Sequence, residues 1–223
     1  MIKAVLIDID NTLLDFNKCA YMAMKSVFIK FSLPFSDSVN TVFKIVNDGL
    51  WERIEKKTLT RDELHEIRWQ LIFDKLGIDF DGKAFEKGFL EGLNYQVCFV
   101  DGAIEILEYL SSKYAVYTVS NAPKVQQKKR LRASGIDKYI KGAFISQEIG
   151  YDKPDKRFFD ATFKAISPIK KEEAVLIGDS VSADIKGGID YGIKTVWFDF
   201  ERKGGFSGAD YTVTELSQIK NIL

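Results

Sequence analysis

The chain has 223 residues, of which 46% are hydrophobic and 29% are charged, with 32 basic and 32 acidic side chains. A formal net charge of zero gives no reason to expect a nucleic acid polymer or a membrane surface as partner. The size suits one globular core with a smaller inserted domain.

The cysteine and histidine contents exclude several classes of site. Cys19 and Cys98 have neither metal-ligand spacing nor a disulfide framework, which predicts reduced thiols and a cytoplasmic protein. The apolar run after Met1 is too short for a signal peptide, and no stretch reaches the roughly 20 apolar residues of a membrane span. His65 is the only histidine, so a Ser-His-Asp triad or a multi-histidine metal site is a poor candidate.

The first predicted element is a strand that is apolar on both faces, Ala4-Val5-Leu6-Ile7. Residues 16–96 then contain only amphipathic patterns, which predict helices over 17–31, 38–55, 60–76 and 83–93. We therefore predict an α-helical cap domain of residues 16–96, inserted after the first strand.

From about residue 97 onward, helical patterns alternate with short apolar runs. The runs predict strands over 115–119, 142–145, 174–177 and 195–198. Asp101 is the expected N-cap of the first helix, Gly135 the expected stop of the second, and Pro154 is expected in the first turn of the third. This alternation predicts a doubly wound α/β core with a parallel sheet, formed by residues 1–15 and 97–223.

Polar side chains follow four of these strands, directly in three cases and a few residues later after the strand over 142–145. They are found in Asp8-Ile9-Asp10-Asn11-Thr12, Ser120-Asn121, Gly150-Tyr151-Asp152-Lys153 and Gly178-Asp179, with Asp184 shortly afterwards. Functional sites of open parallel sheets form beyond the carboxyl ends of the strands. Closely packed carboxylates repel one another unless a cation is bound, so the sequence indicates a charged functional site at this edge.

The same segments resemble the motifs of the haloacid dehalogenase (HAD) superfamily. The family pattern DxDx[TV] corresponds to DIDNT, the strand-ending serine to TVSNA, the lysine to DKP, and the acidic motif to GDSVSAD. All four are present in order, and the resemblance extends over the whole chain, including a helical cap of the C1 type. It implies a Rossmann-like HAD core and a hydrolase.

The resemblance also implies roles for the acidic residues. Asp8 would be the nucleophile that forms an aspartyl-phosphate, and Asp10 would be the general acid and base. Mg²⁺, which prefers oxygen ligands, would be held by Asp8, the backbone carbonyl of Asp10, and Asp179. Asp184 would support these ligands without binding the ion directly, or would bind the ion through a water.

Four further residues would bind the phosphate or balance its charge. Ser120 and the backbone of Asn121 would donate to phosphate oxygens, and Lys153 would offset the charge of the transferred phosphoryl group. Thr12 would hold the loop or bind the phosphate.

Asp10 also distinguishes branches of the superfamily. Dehalogenases lack an acid/base aspartate at this position, which favours phosphate esters as substrates, while mutases retain it. Within the phosphatases, DNTLLDF, DGLWERIEKKTLTRDEL and ISQEIGYDKPDKRFFD resemble the pyrimidine 5′-nucleotidases that act on non-standard nucleotides. One departure is Ala122, where relatives usually carry glycine.

The expected activity is therefore a phosphatase of small phosphorylated metabolites, with a nucleoside 5′-monophosphate as the first candidate substrate. A phosphosugar or phosphoglycolate phosphatase, a mutase, and a non-catalytic phosphate sensor remain alternatives. Trp51, and less so Trp69 and Phe16, could stack on a base. The basic run of Lys124, Lys128, Lys129, Arg130 and Arg132 is interpreted as a solvated helix face, and a monomer or weak homodimer is expected.

Overall fold

A computed structural model describes all 223 residues, and the chain divides into two compact units. The α/β unit comprises Met1–Phe16 and Val97–Leu223, and the helical unit comprises Asn17–Gln96. None of the helices is both long enough and apolar enough to cross a lipid bilayer.

The α/β unit contains six strands and five helices. The strands are β1 (Ala4–Ile7), β2 (Ala115–Ser120), β3 (Gly142–Ile145), β4 (Ala174–Gly178), β5 (Lys194–Phe198) and β6 (Tyr211–Val213). The helices are α5 (Ala103–Lys113), α6 (Lys124–Ser134), α7 (Ser146–Ile149), α8 (Lys156–Ala165) and α9 (Lys186–Tyr191). One π-helical turn, Val181–Ile185, precedes α9.

All six strands are parallel and lie in the order β3-β2-β1-β4-β5-β6. Ile7 pairs with Thr118 of β2 on one side and with Ile177 of β4 on the other, so these three strands end at the same edge. Parallel strands require crossover connections, and the helices between them supply these. The predicted fold class, a doubly wound α/β core, is confirmed.

Strand β1 is buried on both faces, which explains its continuous apolar sequence. Val5 and Ile7 belong to one hydrophobic cluster, and Ala4 and Leu6 belong to another. Successive side chains of a strand point to opposite faces of the sheet, so the two clusters lie on opposite faces. Burial of one large aliphatic side chain stabilises the fold by roughly 1.5–3 kcal/mol.

The helical unit consists of α1 (Phe16–Lys30), α2 (Asp37–Glu55), α3 (Arg61–Leu76) and α4 (Gly82–Leu93). Its core is aromatic, and Phe28, Trp69 and Phe85 are almost fully buried there. The Trp69 ring centroid lies 4.1 Å from that of Phe85. Trp69 is therefore a packing residue, and its suggested role in stacking on a base is wrong. The interpretation of this unit as a cap stays a prediction.

Several helix boundaries differ from those expected. Helix α5 begins after Gly102, which has φ 79°, so Asp101 is not its N-cap. Helix α8 begins at Lys156 with Asp155 as N-cap, and Pro154 therefore lies before the helix. Strand β6 was missed because its three residues are too short for a recognisable pattern. Gly135, with φ 72°, ends α6 as predicted.

Candidate active site

Three carboxylates converge at the carboxyl edge of the sheet. Asp8 follows β1, Asp179 follows the adjacent β4, and Asp184 lies on the π-helical turn. One oxygen from each can be chosen so that the three lie within 4.8 Å of one another. Asp8 and Asp184 are buried, and Asp179 is half-buried. Asp179 and Asp184 lie 171 and 176 positions after Asp8 in the sequence. The pairing of β1 with β4 in the parallel sheet brings them together with Asp8.

The ammonium of Lys153 lies between two of these carboxylates. Its Nζ donates to Oδ1 of Asp8 and to Oδ1 of Asp184, each at 2.6 Å. A third hydrogen bond, of 3.0 Å, goes to the backbone carbonyl of Val119 on β2. Because an ammonium has three donors, this almost fully buried side chain is completely satisfied.

Burial dominates the electrostatics of the cluster. It raises the pKa of Asp8 to about 8, with Lys153 opposing the shift and the charges of Asp184 and Asp10 adding to it. Enclosure from bulk water, and then the charges of Asp8 and Asp184, raise the pKa of Asp179 well above its ordinary value. Burial alone would lower the pKa of Lys153, but Asp184 and Asp8 hold it above its ordinary value.

Asp184 approaches the backbone of β4 so closely that only glycine fits beside it. A Cβ added at Gly178 would lie 2.3 Å from Oδ2 of Asp184. The same oxygen accepts a hydrogen bond of 3.2 Å from the backbone nitrogen of Ser180. Both oxygens of Asp184 thus accept hydrogen bonds from the protein. The loop that carries Asp179 is fixed separately, because Nε1 of Trp197 donates to the backbone carbonyl of Asp179 at 2.9 Å.

The loop after β1 is a tight turn that presents Asp10 and Thr12. The carbonyl of Ile9 accepts hydrogen bonds from the backbone nitrogens of Leu13 and Leu14. Asn11 has φ 56°, and its Oδ1 accepts a hydrogen bond of 3.0 Å from the Phe16 nitrogen. Asparagine tolerates this left-handed conformation better than most residues. Thr12 is fully buried, and its hydroxyl has no hydrogen-bond partner within the protein, so its expected part in holding the loop or binding the phosphate stays a prediction.

Ser120 and Asn121 follow β2, directly beside β1. The Asn121 side chain accepts from the Lys153 nitrogen at 2.8 Å and donates to the Lys153 carbonyl at 2.9 Å. This reciprocal pair fixes the loop that carries the lysine, and it leaves only the Asn121 backbone for the predicted phosphate contact. The Ser120 hydroxyl is buried next to Gln127.

Two residues that the sequence interpretation missed complete the site. Arg130 is fully buried, and its guanidinium forms an ion pair with the carboxylate of Asp10. Gln127, also fully buried, donates to Asp10 and to Ser120, each at 2.9 Å. The interpretation of the basic run as a solvated face is therefore wrong for Arg130. The signal was Leu131, because the residue four positions before an apolar residue lies on the same helix face, which places Gln127 inward, and Arg130 lies three positions after Gln127 on that face.

Trp51 lies half-buried on α2 in the helical unit, and Phe16 is half-buried at the start of α1. Neither is part of the carboxylate cluster within the α/β unit. Their proposed contacts with a base stay predictions.

The charges of the site suit a divalent cation. The four carboxylates of Asp8, Asp10, Asp179 and Asp184 exceed the two positive charges of Lys153 and Arg130 by two formal negative charges. An anionic substrate would be repelled by this excess, which a divalent cation would neutralise. Carboxylate oxygens are the ligands that hard cations prefer, so the residues fit such an ion.

A comparison with known families identifies the family of the chain. The model of the haloacid dehalogenase-like hydrolases matches residues 2–192. The chain belongs to this family. It is therefore a HAD hydrolase with a Rossmann-like α/β core.

Among individual proteins, the HAD-hydrolase YfnB of Bacillus subtilis is 31% identical over 99% of this chain and 95% of its own. A crystal structure of YfnB bound to magnesium has a TM-score of 0.94 and covers 100% of this chain and 98% of the other. The pyrimidine 5′-nucleotidase PynA of Streptococcus pneumoniae is 30% identical over 88% of this chain and 84% of its own. A glyceraldehyde 3-phosphate phosphatase of Pyrococcus furiosus is 25% identical over 100% of this chain and 93% of its own.

Proposed function

We propose that this HAD hydrolase is a Mg²⁺-dependent phosphomonoesterase that works through an aspartyl-phosphate at Asp8, with nucleoside 5′-monophosphates as its substrates. The observation that carries the proposal is the convergence of Asp8, Asp179 and Asp184 within 4.8 Å, with Lys153 between two of them. Asp10 favours phosphate esters over haloacids, since the dehalogenase branch lacks it.

Each residue has a defined part in the proposed reaction. A carboxylate oxygen of Asp8 bonds to phosphorus while the bond to the ester oxygen breaks, and that oxygen takes the departing electron pair and a proton from Asp10. A water then bonds to phosphorus and gives a proton to Asp10, and the electron pair of the broken bond returns to Asp8. Both aspartates are thereby regenerated.

The positive groups and donors stabilise the charge on the phosphoryl group during both steps. Lys153 supplies a fixed ammonium, and Ser120, Thr12 and the Asn121 backbone supply hydrogen bonds. Asp8, Asp179 and the backbone carbonyl of Asp10 would hold Mg²⁺, with Asp184 behind them. When bound, this ion would neutralise phosphate charge and act as a Lewis acid.

The substrate class rests on similarity to the pyrimidine 5′-nucleotidase PynA and on the half-buried Trp51 of the helical unit. The similarity to a glyceraldehyde 3-phosphate phosphatase keeps a small phosphosugar as the second candidate. A panel of nucleoside monophosphates, sugar phosphates and triose phosphates, scored by released phosphate, separates the two. A mutase would isomerise its substrate and release little phosphate.

The mechanism is tested with an aryl phosphate and Mg²⁺. We expect turnover by the wild type and by Asp137→Asn, an exposed control on the same unit, and none by Asp8→Asn. Acid-quenched wild-type enzyme should yield a phosphorylated peptide containing residue 8. Equal rates for wild type and Asp8→Asn would remove Asp8 from the mechanism, and no Mg²⁺-stimulated turnover on the whole panel would favour a non-catalytic sensor.

A further inference from the structure

Helix α6 has two chemically different faces. On the outer face, Lys124 and Lys128 form exposed ion pairs with Glu148, at 3.0 and 2.7 Å. On the inner face, Gln127 and Arg130 are fully buried one turn apart. Pairs of this spacing lie next to each other on a helix. The inner face therefore presents two polar side chains to the interior, where polar groups require partners.

The partners of both residues belong to the proposed site. Arg130 Nη1 donates to Oδ1 of Asp10, and it also donates to Oε1 of Gln127 at 3.1 Å. Gln127 Nε2 donates to Oδ2 of Asp10 at 2.9 Å and to the hydroxyl of Ser120 at 2.9 Å. Each oxygen of the Asp10 carboxylate thus has its own donor on α6, which fixes the direction of this half-buried side chain.

The arrangement also determines the direction of the Ser120 hydroxyl. A guanidinium can only donate, so it requires that the oxygen of the Gln127 amide faces Arg130 and the NH₂ group faces Asp10 and Ser120. The Ser120 oxygen accepts from Gln127 and also from the Ala122 nitrogen at 3.2 Å. Both of its acceptor positions are then occupied, and its proton is left to be donated elsewhere.

Stability does not explain why these polar groups are buried. A buried ion pair is often no more stabilising than apolar side chains of the same size, because its desolvation offsets the attraction between the charges. Here Arg130 pairs with Asp10, a loop residue of the candidate active site. One helix turn earlier, Gln127 bonds to Ser120, a second residue of that site. The arrangement is therefore better explained by the reaction than by folding.

We propose that Arg130 and Gln127 are positioning residues for phosphoryl transfer: Arg130 aims the carboxylate of Asp10 at the leaving oxygen, and Gln127 orients the Ser120 hydroxyl as a donor to the phosphate. This inference rests on the proposed function and adds two residues to it. It predicts different kinetic effects for the two residues.

The first variant is Arg130→Met, compared with the exposed Arg132→Met on the same helix. The value of kcat/KM covers the steps up to release of the leaving group. The two substrates are a nucleoside 5′-monophosphate and nitrophenyl phosphate. Protonation of the leaving oxygen by Asp10 matters for the first, whose leaving group is a poor one (an alkoxide), and hardly for the second, whose nitrophenolate leaves readily. General acid catalysis contributes about 10²–10⁴-fold, so we expect a loss of about 10- to 100-fold for the nucleotide and under about threefold for the nitrophenyl ester. Arg132→Met should behave as the wild type with both.

The second variant is Gln127→Met, which removes the donor to Ser120 and one of the two donors to Asp10, while Arg130 still holds Oδ1 of Asp10. It should lower kcat/KM for both esters by a similar factor and weaken competitive inhibition by inorganic phosphate, whereas Arg130→Met should leave that inhibition nearly unchanged. If Arg130→Met fails to fold, Arg130→Lys replaces it. A lysine side chain is shorter and lacks the rigid planar guanidinium, so it should not hold the Asp10 carboxylate in the same direction and should show the same preference for the good leaving group.

The inference is overturned if folded Arg130 variants lose equal factors with both esters. A wild type without activity on either ester argues against the proposed function instead. Crystal structures of the wild type and the Arg130 variant then decide the inference separately, because an unchanged Asp10 carboxylate position would show that Arg130 does not position it.

Discussion

The ammonium of Lys153 lies 2.6 Å from Oδ1 of Asp8, yet burial still raises the pKa of this carboxyl to about 8. The folded protein therefore favours the protonated form of Asp8, whose ordinary pKa is 3.8. This contribution to stability is present below pH 4 and is lost as the pH rises through 8, at up to about 1.4 kcal/mol per pH unit. We expect the free energy of unfolding of metal-free protein, measured in urea, to fall from pH 5 to pH 8 relative to that of Asp8→Asn. A difference that stays constant with pH would contradict the shift.

Addition of Mg²⁺ should reverse this loss if the proposed metal site is correct. A carboxylate must be deprotonated to bind a metal ion, and a ligand stabilises the state that binds it. We therefore expect Mg²⁺ to raise the thermal midpoint more at pH 8 than at pH 5, and EDTA to remove the effect. In Asp179→Asn the Mg²⁺ effect should be reduced, whereas the exposed variant Asp137→Asn should keep it. An equal Mg²⁺ effect in all three proteins would place the ion elsewhere.

Replacement of Lys153 by methionine should destabilise the protein strongly. Removal of one partner from a buried ion pair typically costs about 3–5 kcal/mol, and here Asp184 loses its cation while Asp8 loses a hydrogen-bond donor. Urea unfolding of Lys153→Met measures the loss. Lys156→Met, at an exposed position three residues later, should change stability by less than about 0.5 kcal/mol.

Gly178→Ala should impair activity without altering any charged group. The new Cβ would lie 2.3 Å from Oδ2 and 2.4 Å from Cγ of Asp184, so that Asp184 or strand β4 must move. We expect at least a tenfold loss of kcat and a lower thermal midpoint. Gly49→Ala is the matched control, since a Cβ there meets no atom within 4 Å and the residue lies in a helix. Full activity of Gly178→Ala would show that the position of Asp184 is not critical.

Glu86→Gln should destabilise the helical unit. Glu86 accepts from Arg68 at 2.5 and 3.1 Å and lies 2.7 Å from His65, while Arg68 also donates to Asn47. Burial alone would raise the pKa of Glu86, but the charge of Arg68 and the hydrogen bond with His65 hold it below its ordinary value. Loss of its negative charge should cost about 3–5 kcal/mol in urea unfolding. The exposed Glu66→Gln, which loses only a surface pair with Lys83, should cost less than about 1 kcal/mol.

Trp51→Ala tests the proposed recognition of a base. Stacking of one base contributes about 1–3 kcal/mol, so KM for a nucleoside monophosphate should rise about 5- to 150-fold. The KM for ribose 5-phosphate, which has no base, should change little. Ile45→Ala, at an exposed position of the same helix, is the control and should affect neither substrate. An equal change with both substrates would exclude a stacking role for Trp51.

The sequence alone was sufficient for the α/β core and its acidic edge. Strand β1 is recognisable because both of its faces are buried, and a parallel sheet places the carboxyl ends of its strands together whatever the helices contain. The positions of Asp8, Ser120 and Asp179 at that edge follow from this rule, whereas Lys153 lies eight residues beyond β3, after α7. The short β6 and the caps of α5 and α8 did not follow, because local propensity is weak over a few residues.

The tertiary structure alone decided which charges meet. The basic residues of α6 look alike in sequence, yet Lys128 pairs with Glu148 at the surface, and Arg130 is buried against Asp10 from a different part of the chain. Likewise, only the packed structure shows that Asp184 crowds Gly178. A pattern of apolar residues determines which face of an element is buried, because burial depends on the period of the pattern. It cannot determine which buried polar groups pair, because that depends on distances between atoms that are far apart in the sequence.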